Sequence, residues 1–322
     1  MGLWRLYFGG HSIFPVILVG KSQHLLPCSG KLGSDFQTKH KRQVAPAAAV
    51  QGDERLPQPF GRQAWPKSLS TAAASLWDFH LALESLDKTW EKRENATILL
   101  EEEAARVESG KPLRVIPGDI CDGAYAACSE HHLPVSLLAD QVLVAVRFTQ
   151  PLRFEGTLDL DRFVQQWVGS HAMLLAQLAG QKGRWQRQSI GELAKAFFLT
   201  GRLCDLKRDL ARDRVFFPMA DLRQSGVSID HLHEGVMSDA MRRLLWKQTV
   251  RIRDAFARGL AIGNDLAGWQ RRAFRKHWLG GLYLLAEIEH RKYDLWTRPF
   301  TLSRWRKTQL QLQVLTGKTS FR

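Results

Sequence analysis

From Ser68 onward, apolar residues recur every three or four positions, and that spacing commits the chain to helices. In LSTAAASLWDFHLALESLDKTW, Leu76, Phe79, Leu83, Leu86 and Trp90 fall on one stripe. ENATILLEEEAARVESGK predicts a second helix, stopped by Gly110 and Pro112. Further helical periodicity runs near 118–130, 135–148, 159–180, 189–212, 237–259, 262–292 and 302–315. Strand alternation is scarce, and no Asn-Gly or Asp-Gly turn sits between two alternating runs. No segment repeats at a fixed period. The expectation is an all-α protein with a single helical domain over 65–322.

Residues 1–64 read differently. Between about Gly20 and Gln63 the chain is rich in Gly, Pro, Ser, Ala, Lys and Gln, without sustained periodicity. The preceding SIFPVILVG is apolar, but glycines and a proline interrupt its surroundings. It lacks the basic start and small-x-small cleavage site of a secretory signal. Residues 1–64 are therefore expected as a poorly ordered, linker-like extension. No stretch reaches the roughly 18–20 apolar residues that span a bilayer.

The 322 residues, 44% hydrophobic, suffice for a large core, and a charged fraction of 24% argues against wholesale disorder. The formal net charge of +14 is the unusual quantity. It points to an anionic partner: nucleic acid, an acidic membrane surface or a phosphorylated substrate. A generally basic surface is the bland alternative. Nucleic-acid binding rests on charge alone and is not the expectation. Cys28, Cys121, Cys128 and Cys204 are scattered without a C-x-x-C pair, so neither zinc nor a disulfide framework is indicated. A reducing, cytoplasmic setting is the simplest reading.

Residues 205–218 read DLKRDLARDRVFFP. Leu193, Phe197, Leu203 and Leu206 before and within them keep helical spacing, which places Asp205 and Asp209 one turn apart on one face. Unpaired, the two carboxylates repel; a divalent cation would reverse that sign, because Mg²⁺ binds one or two carboxylates together with substrate phosphates. Lys207, Arg208 and Arg212 offer a plainer neutralisation. The residues alone leave both readings open. His131-His132 and the pair His231 and His233 are better read as loop or cap residues than as metal pairs. No G-x-S-x-G elbow, Walker loop or H-E-x-x-H is present.

The surroundings of the pair resemble the second aspartate-rich region of the squalene and phytoene synthase family. In AFFLTGRLCDLKRDLARDRVFFPMADLRQSGVSIDHL the matches are Ala196, Thr200, Asp205, Asp209, Arg214, Pro218, Leu222 and Gly226, in register without a gap. DLDRFVQQWVGSHAMLLAQLAG resembles the family's small-residue helix, with Phe163 for its tyrosine, Gly169 at its first glycine and Ala172 at its second. SEHHLPVSLLADQVLVAVRF and YLLAEIEHRKYDLWTRPFTLSRWRKTQL are similar to further segments in the same order, so the resemblance covers about 65–315.

That resemblance implies an all-α, isoprenoid-synthase-like fold around a central cavity, and head-to-head condensation of two prenyl diphosphates. Two aspartate-rich helices would face each other and hold Mg²⁺ on the diphosphates; use of NADPH and the oligomeric state stay open. It further implies Asp205 and Asp209 as catalytic metal ligands, and Arg214, Lys207 and Arg208 as diphosphate contacts. Phe163, Trp167, Gly169, Phe197 and Phe198 would line the cavity. Because such substrates and products are lipids, a peripheral membrane contact is a further expected partner.

The first aspartate-rich motif departs from the family pattern. In FHLALESLDKTWEK, Glu84 stands for the first aspartate, Ser85 for the second, and Lys88 stands near the last; Asp87 substitutes only by a one-position slip. Leu81, Gly201, Cys204 and Phe198 replace a family arginine, asparagine, arginine and glutamine. Glu84 and Asp87 are thus degraded counterparts of the Asp205 and Asp209 cluster. Losing such contacts costs about 2.7–4 kcal/mol each in comparable electrostatic sites. The rival reading is a non-catalytic relative that binds lipid or serves as an assembly factor.

Overall fold

The computed structural model describes residues 65–84, 102–107, 109, 111, 118–297, 300, 308–309 and 312–314. The expected extension 1–64, Asp87 and most of 302–315 lie outside the described residues. Helix α1 (Lys67–Glu84) is followed by α2 (Gly118–Glu130), α3 (Ser136–Ala145) and a 3₁₀ turn at Val146–Thr149. Next come β1 (Leu152–Phe154), α4 (Thr157–Val164), a π-helical turn (Gln165–Gly169) and α5 (Ser170–Leu178). Then follow α6 (Arg184–Cys204), α7 (Leu206–Leu210), β2 (Arg214–Pro218), α8 (Met219–Ser225) and α9 (Ile229–Glu234). Helices α10 (Asp239–Gly259) and α11 (Gly268–His290), joined by a 3₁₀ turn at Leu260–Asn264, close the series.

Two long amphipathic helices, α6 and α10, form the central pair. They approach closely because small residues stand at the crossing. A Cβ on Gly259 would fall 2.4 Å from Leu193 Cγ and 3.0 Å from the Ser189 carbonyl. In α11 a Cβ on Gly281 would fall 2.5 Å from Phe256 Cζ and 3.2 Å from Phe197 Cε1. Side chains at those positions would wedge the helices apart, since cores are packed to crystal density. The core is one contiguous cluster from Ala72 to Phe300 among the described residues.

Helix ends follow local chemistry. Ser238 caps α10 by accepting from the Met241 amide at 3.1 Å. Ser228 caps α9 in the same way, and the His231 ring returns the contact to the Ser228 amide at 3.1 Å. His131 and His132 sit in the turn that ends α2, with His132 at φ 52°. His131 and His132 are thus turn residues and His231 a cap residue, whereas His233 lies within α9.

Two features were not expected. Helix 189–212 is interrupted at Asp205 (φ −104°, ψ 13°), so α6 ends at Cys204 and α7 begins at Leu206. In addition, β1 and β2 pair in parallel, with Leu152 opposite Arg214 and Phe154 opposite Pro218. All five residues of β2 are buried, which removes the alternation that would reveal a strand in sequence. Among the described residues no helix is long and apolar enough to cross a membrane.

Candidate functional site

Three consecutive elements bring one charged cluster together. Arg202 projects from the last turn of α6, Asp205 sits at its end, Asp209 lies on α7, and Arg214 begins β2. All four are buried: Asp209 is 1% exposed, Arg214 1%, and Asp205 and Arg202 5% each. Arg202 Nη1 donates to Asp209 Oδ1 at 3.1 Å, and its Nη2 lies 3.8 Å from Asp205 Oδ2. Arg208 Nη2 donates to Asp205 Oδ2 at 2.9 Å. Arg214 Nη2 donates to the Phe148 carbonyl at 3.3 Å, with its guanidinium 4.5 Å from the Phe148 ring centroid.

The second Asp209 oxygen, Oδ2, is buried with no hydrogen-bond partner. Beside it lies a cavity of about 10 Å³, lined by Leu199, Arg202, Leu206, Asp209, Arg214 and Phe216, among others. That is space for about one water. Burial pushes the Asp209 carboxyl up to about 6, against the pull of Arg202 and with a further push from Asp205. The cluster thus holds a carboxylate on the edge of protonation at neutral pH, balanced by guanidinium groups.

Aromatic rings form the adjoining wall. Phe198 and Phe216 lie 5.2 and 5.5 Å from the Arg202 guanidinium, in cation–π reach. Phe163 contacts Phe148, Phe154, Phe198 and Phe216, and Trp167 contacts Phe148 at 5.0 Å. These rings pack on one another at tilted and edge-on angles and form one aromatic wall beside the cluster. Phe197 turns instead toward α10, edge-on to Phe256 at 5.1 Å. Gly169 lies in the π-helical turn, where a Cβ would meet the Gln165 side chain at 2.9 Å.

The remaining expected positions divide. Arg208 and Arg214 join the cluster; Lys207 is exposed on α7. Glu84 ends α1, and Asp87 lies outside the described residues. Among the described residues no three His, Cys, Asp or Glu side chains converge on a metal-sized point. Asp205 and Asp209 each already receive a guanidinium donor. Sequence reasoning missed Arg202; its spacing of three and seven residues before the two aspartates was the available signal.

A helical protein whose last long-helix turn presents a buried arginine–aspartate cluster against an aromatic wall defines the class. The squalene/phytoene synthase family model matches residues 66–306, and the chain belongs to that family. A phytoene synthase of Thermus thermophilus is 29% identical over 161 residues. That match takes in 50% of this chain and 55% of the relative, so the chain spans about half the length of the curated relative it matches. Among solved structures, squalene synthase HpnC from Alicyclobacillus acidocaldarius superposes with a TM-score of 0.64 at 21% identity, covering 74% of this chain and 88% of that one. A dehydrosqualene synthase in complex with ligand gives 0.65 at 18% identity, covering 80% and 89%. YisP from Bacillus subtilis gives 0.52 at 14% identity, covering 76% and 98%. These likenesses establish the all-α fold.

Proposed function

We propose that the chain binds an isoprenoid diphosphate and transfers its prenyl group head to head to a second one. The observation that carries this reading is the Asp209 carboxylate, buried beside Arg202 with one oxygen unpartnered and a small cavity next to it. Arg202, Arg208 and Arg214 supply positive charge where a departing diphosphate would gather negative charge, and burial strengthens that attraction. The rings of Phe163, Phe198 and Phe216 exclude water and offer their faces to a carbocation. Magnesium belongs to this proposal as a companion of the substrate's phosphates, and no step is assigned to it. A cytoplasmic protein in peripheral contact with an anionic membrane completes the reading, since its ligands would partition there.

The test is incubation with farnesyl or geranylgeranyl diphosphate, with Mg²⁺ and separately with chelator, followed by assay of diphosphate release and lipid product. Turnover that Asp205→Asn abolishes is the expected result. Full activity in that variant would remove Asp205 from the site. A second reading, a lipid-binding or assembly role without turnover, is favoured by one observation: both carboxylates are already engaged by arginines. Thermal stabilisation by ligand without diphosphate release would select it. Neither turnover nor stabilisation would sink both.

A further inference from the structure

A second polar cluster lies in the core, apart from the arginines. Three buried atoms there have no hydrogen-bond partner: Trp77 Nε1 and both ring nitrogens of His171. His171 is 0% exposed. Its ring stacks on that of His80 with centroids 4.3 Å apart and planes 13° from parallel. Trp77 meets His171 edge-on at 4.5 Å, and Trp167 lies 4.4 Å from His80.

The tautomer of His80 follows from its neighbour. Gln141 Nε2 donates to the Leu137 carbonyl at 3.0 Å, which fixes the amide so that Gln141 Oε1 faces His80 Nδ1 at 2.8 Å. His80 Nδ1 therefore carries the proton and donates it to Gln141. Burial lowers the pKa of both rings, and His80 lowers that of His171 further. Both imidazoles are neutral at pH 7, and His171 keeps a ring lone pair that no protein group meets.

Native interiors pair nearly all their buried polar atoms, so three unpaired atoms in one place require an explanation. Packing alone would be better served by phenylalanine at position 171. The location is informative. His80 stands one turn before Glu84 on the same face of α1. A continuous series of ring contacts links the pair to the arginine cluster: Arg214 to Phe148 at 4.5 Å, Phe148 to Trp167 at 5.0 Å, Trp167 to His80 at 4.4 Å.

We propose that His171 is the proton acceptor for the hydrocarbon part of the bound prenyl group, with Trp77 and His80 fixing its ring. This rests on the prenyl-transfer reading above. A carbocation makes the hydrogens on its neighbouring carbon acidic. A lone pair of the His171 ring takes one such proton, the C–H electron pair becomes a carbon–carbon double bond, and an olefin is formed. The imidazolium passes its proton to water when the interior opens to release product. A neutral base walled by aromatic faces suits this step, because those faces stabilise the cation while excluding water as a competing nucleophile.

The experiment compares the full chain with His171→Phe and His171→Gln under single turnover with farnesyl diphosphate, following diphosphate release and hydrocarbon product separately. Both variants should release diphosphate within about threefold of the wild type, whereas olefin should fall by about 100-fold, the usual scale of a lost acid–base group. The diverted cation should appear as alcohol. The phenylalanine variant should also melt at a higher temperature; the glutamine variant keeps the test standing if phenylalanine does not fit. Olefin at the wild-type rate in either folded variant would overturn the assignment of His171 alone. A wild-type chain that releases no diphosphate would overturn the prenyl-transfer reading and this one with it.

Discussion

Asp209→Asn should stabilise the protein while disabling its site. The Asp209 carboxyl is raised from an ordinary 3.8 to about 6, with burial as the largest cause. The folded state therefore holds this proton more tightly than the unfolded chain does. Relative to the ionised form, that stabilisation is fully present below pH 3.8 and is lost as pH rises through about 6. At about 1.4 kcal/mol for each pH unit, keeping Asp209 ionised in the fold costs about 3 kcal/mol above that window. Asparagine copies the protonated acid and removes that cost. Denaturant unfolding from about pH 4 to about pH 8 should show the variant equal to wild type at the acid end. At the alkaline end it should be more stable by about 3 kcal/mol, or about 6–12 °C in thermal midpoint. A variant less stable than wild type at pH 8 would refute the reasoning. It would mean that the Arg202 contact outweighs the desolvation of the carboxylate.

Arg202→Met removes the donor from Asp209 and should cost about 3–5 kcal/mol near neutral pH, because a buried carboxylate is left uncompensated. The loss should shrink in acid, where Asp209 carries a proton, and urea titrations at two pH values would read the difference. Gly281→Ala places a methyl 2.5 Å from Phe256 Cζ and should cost about 1–3 kcal/mol, measurable as a lower thermal midpoint. It should leave the sign of the Asp209→Asn effect unchanged, since the two sites share no partner.

The helical class was legible because apolar spacing is a local property. Leu76, Phe79 and Leu83 of α1 and Leu193 and Phe197 of α6 declare their buried faces without reference to any partner helix. The aspartates and Arg214 were legible through family resemblance, and their burial together is consistent with one site. Arg202 escaped because one arginine among several carries no mark of which carboxylate it will reach. His80 and His171 are 91 residues apart in sequence, and nothing local predicts that their rings stack. Strand β2 escaped because full burial erases the alternation of an exposed strand.

The sequence by itself determined the helices, the family and the pair Asp205 and Asp209, because periodicity and motif register are written along the chain. Tertiary structure alone decided what surrounds that pair. The break of α6 at Asp205 sets which cations reach the carboxylates. They are met by Arg202 and Arg208 and sealed from water, so that desolvation outweighs attraction at Asp209. The same packing gathers Trp77, His80 and His171 and leaves Trp77 Nε1 and both His171 ring nitrogens without partners. Burial and charge balance depend on distances through space, and those are fixed only when the helices pack.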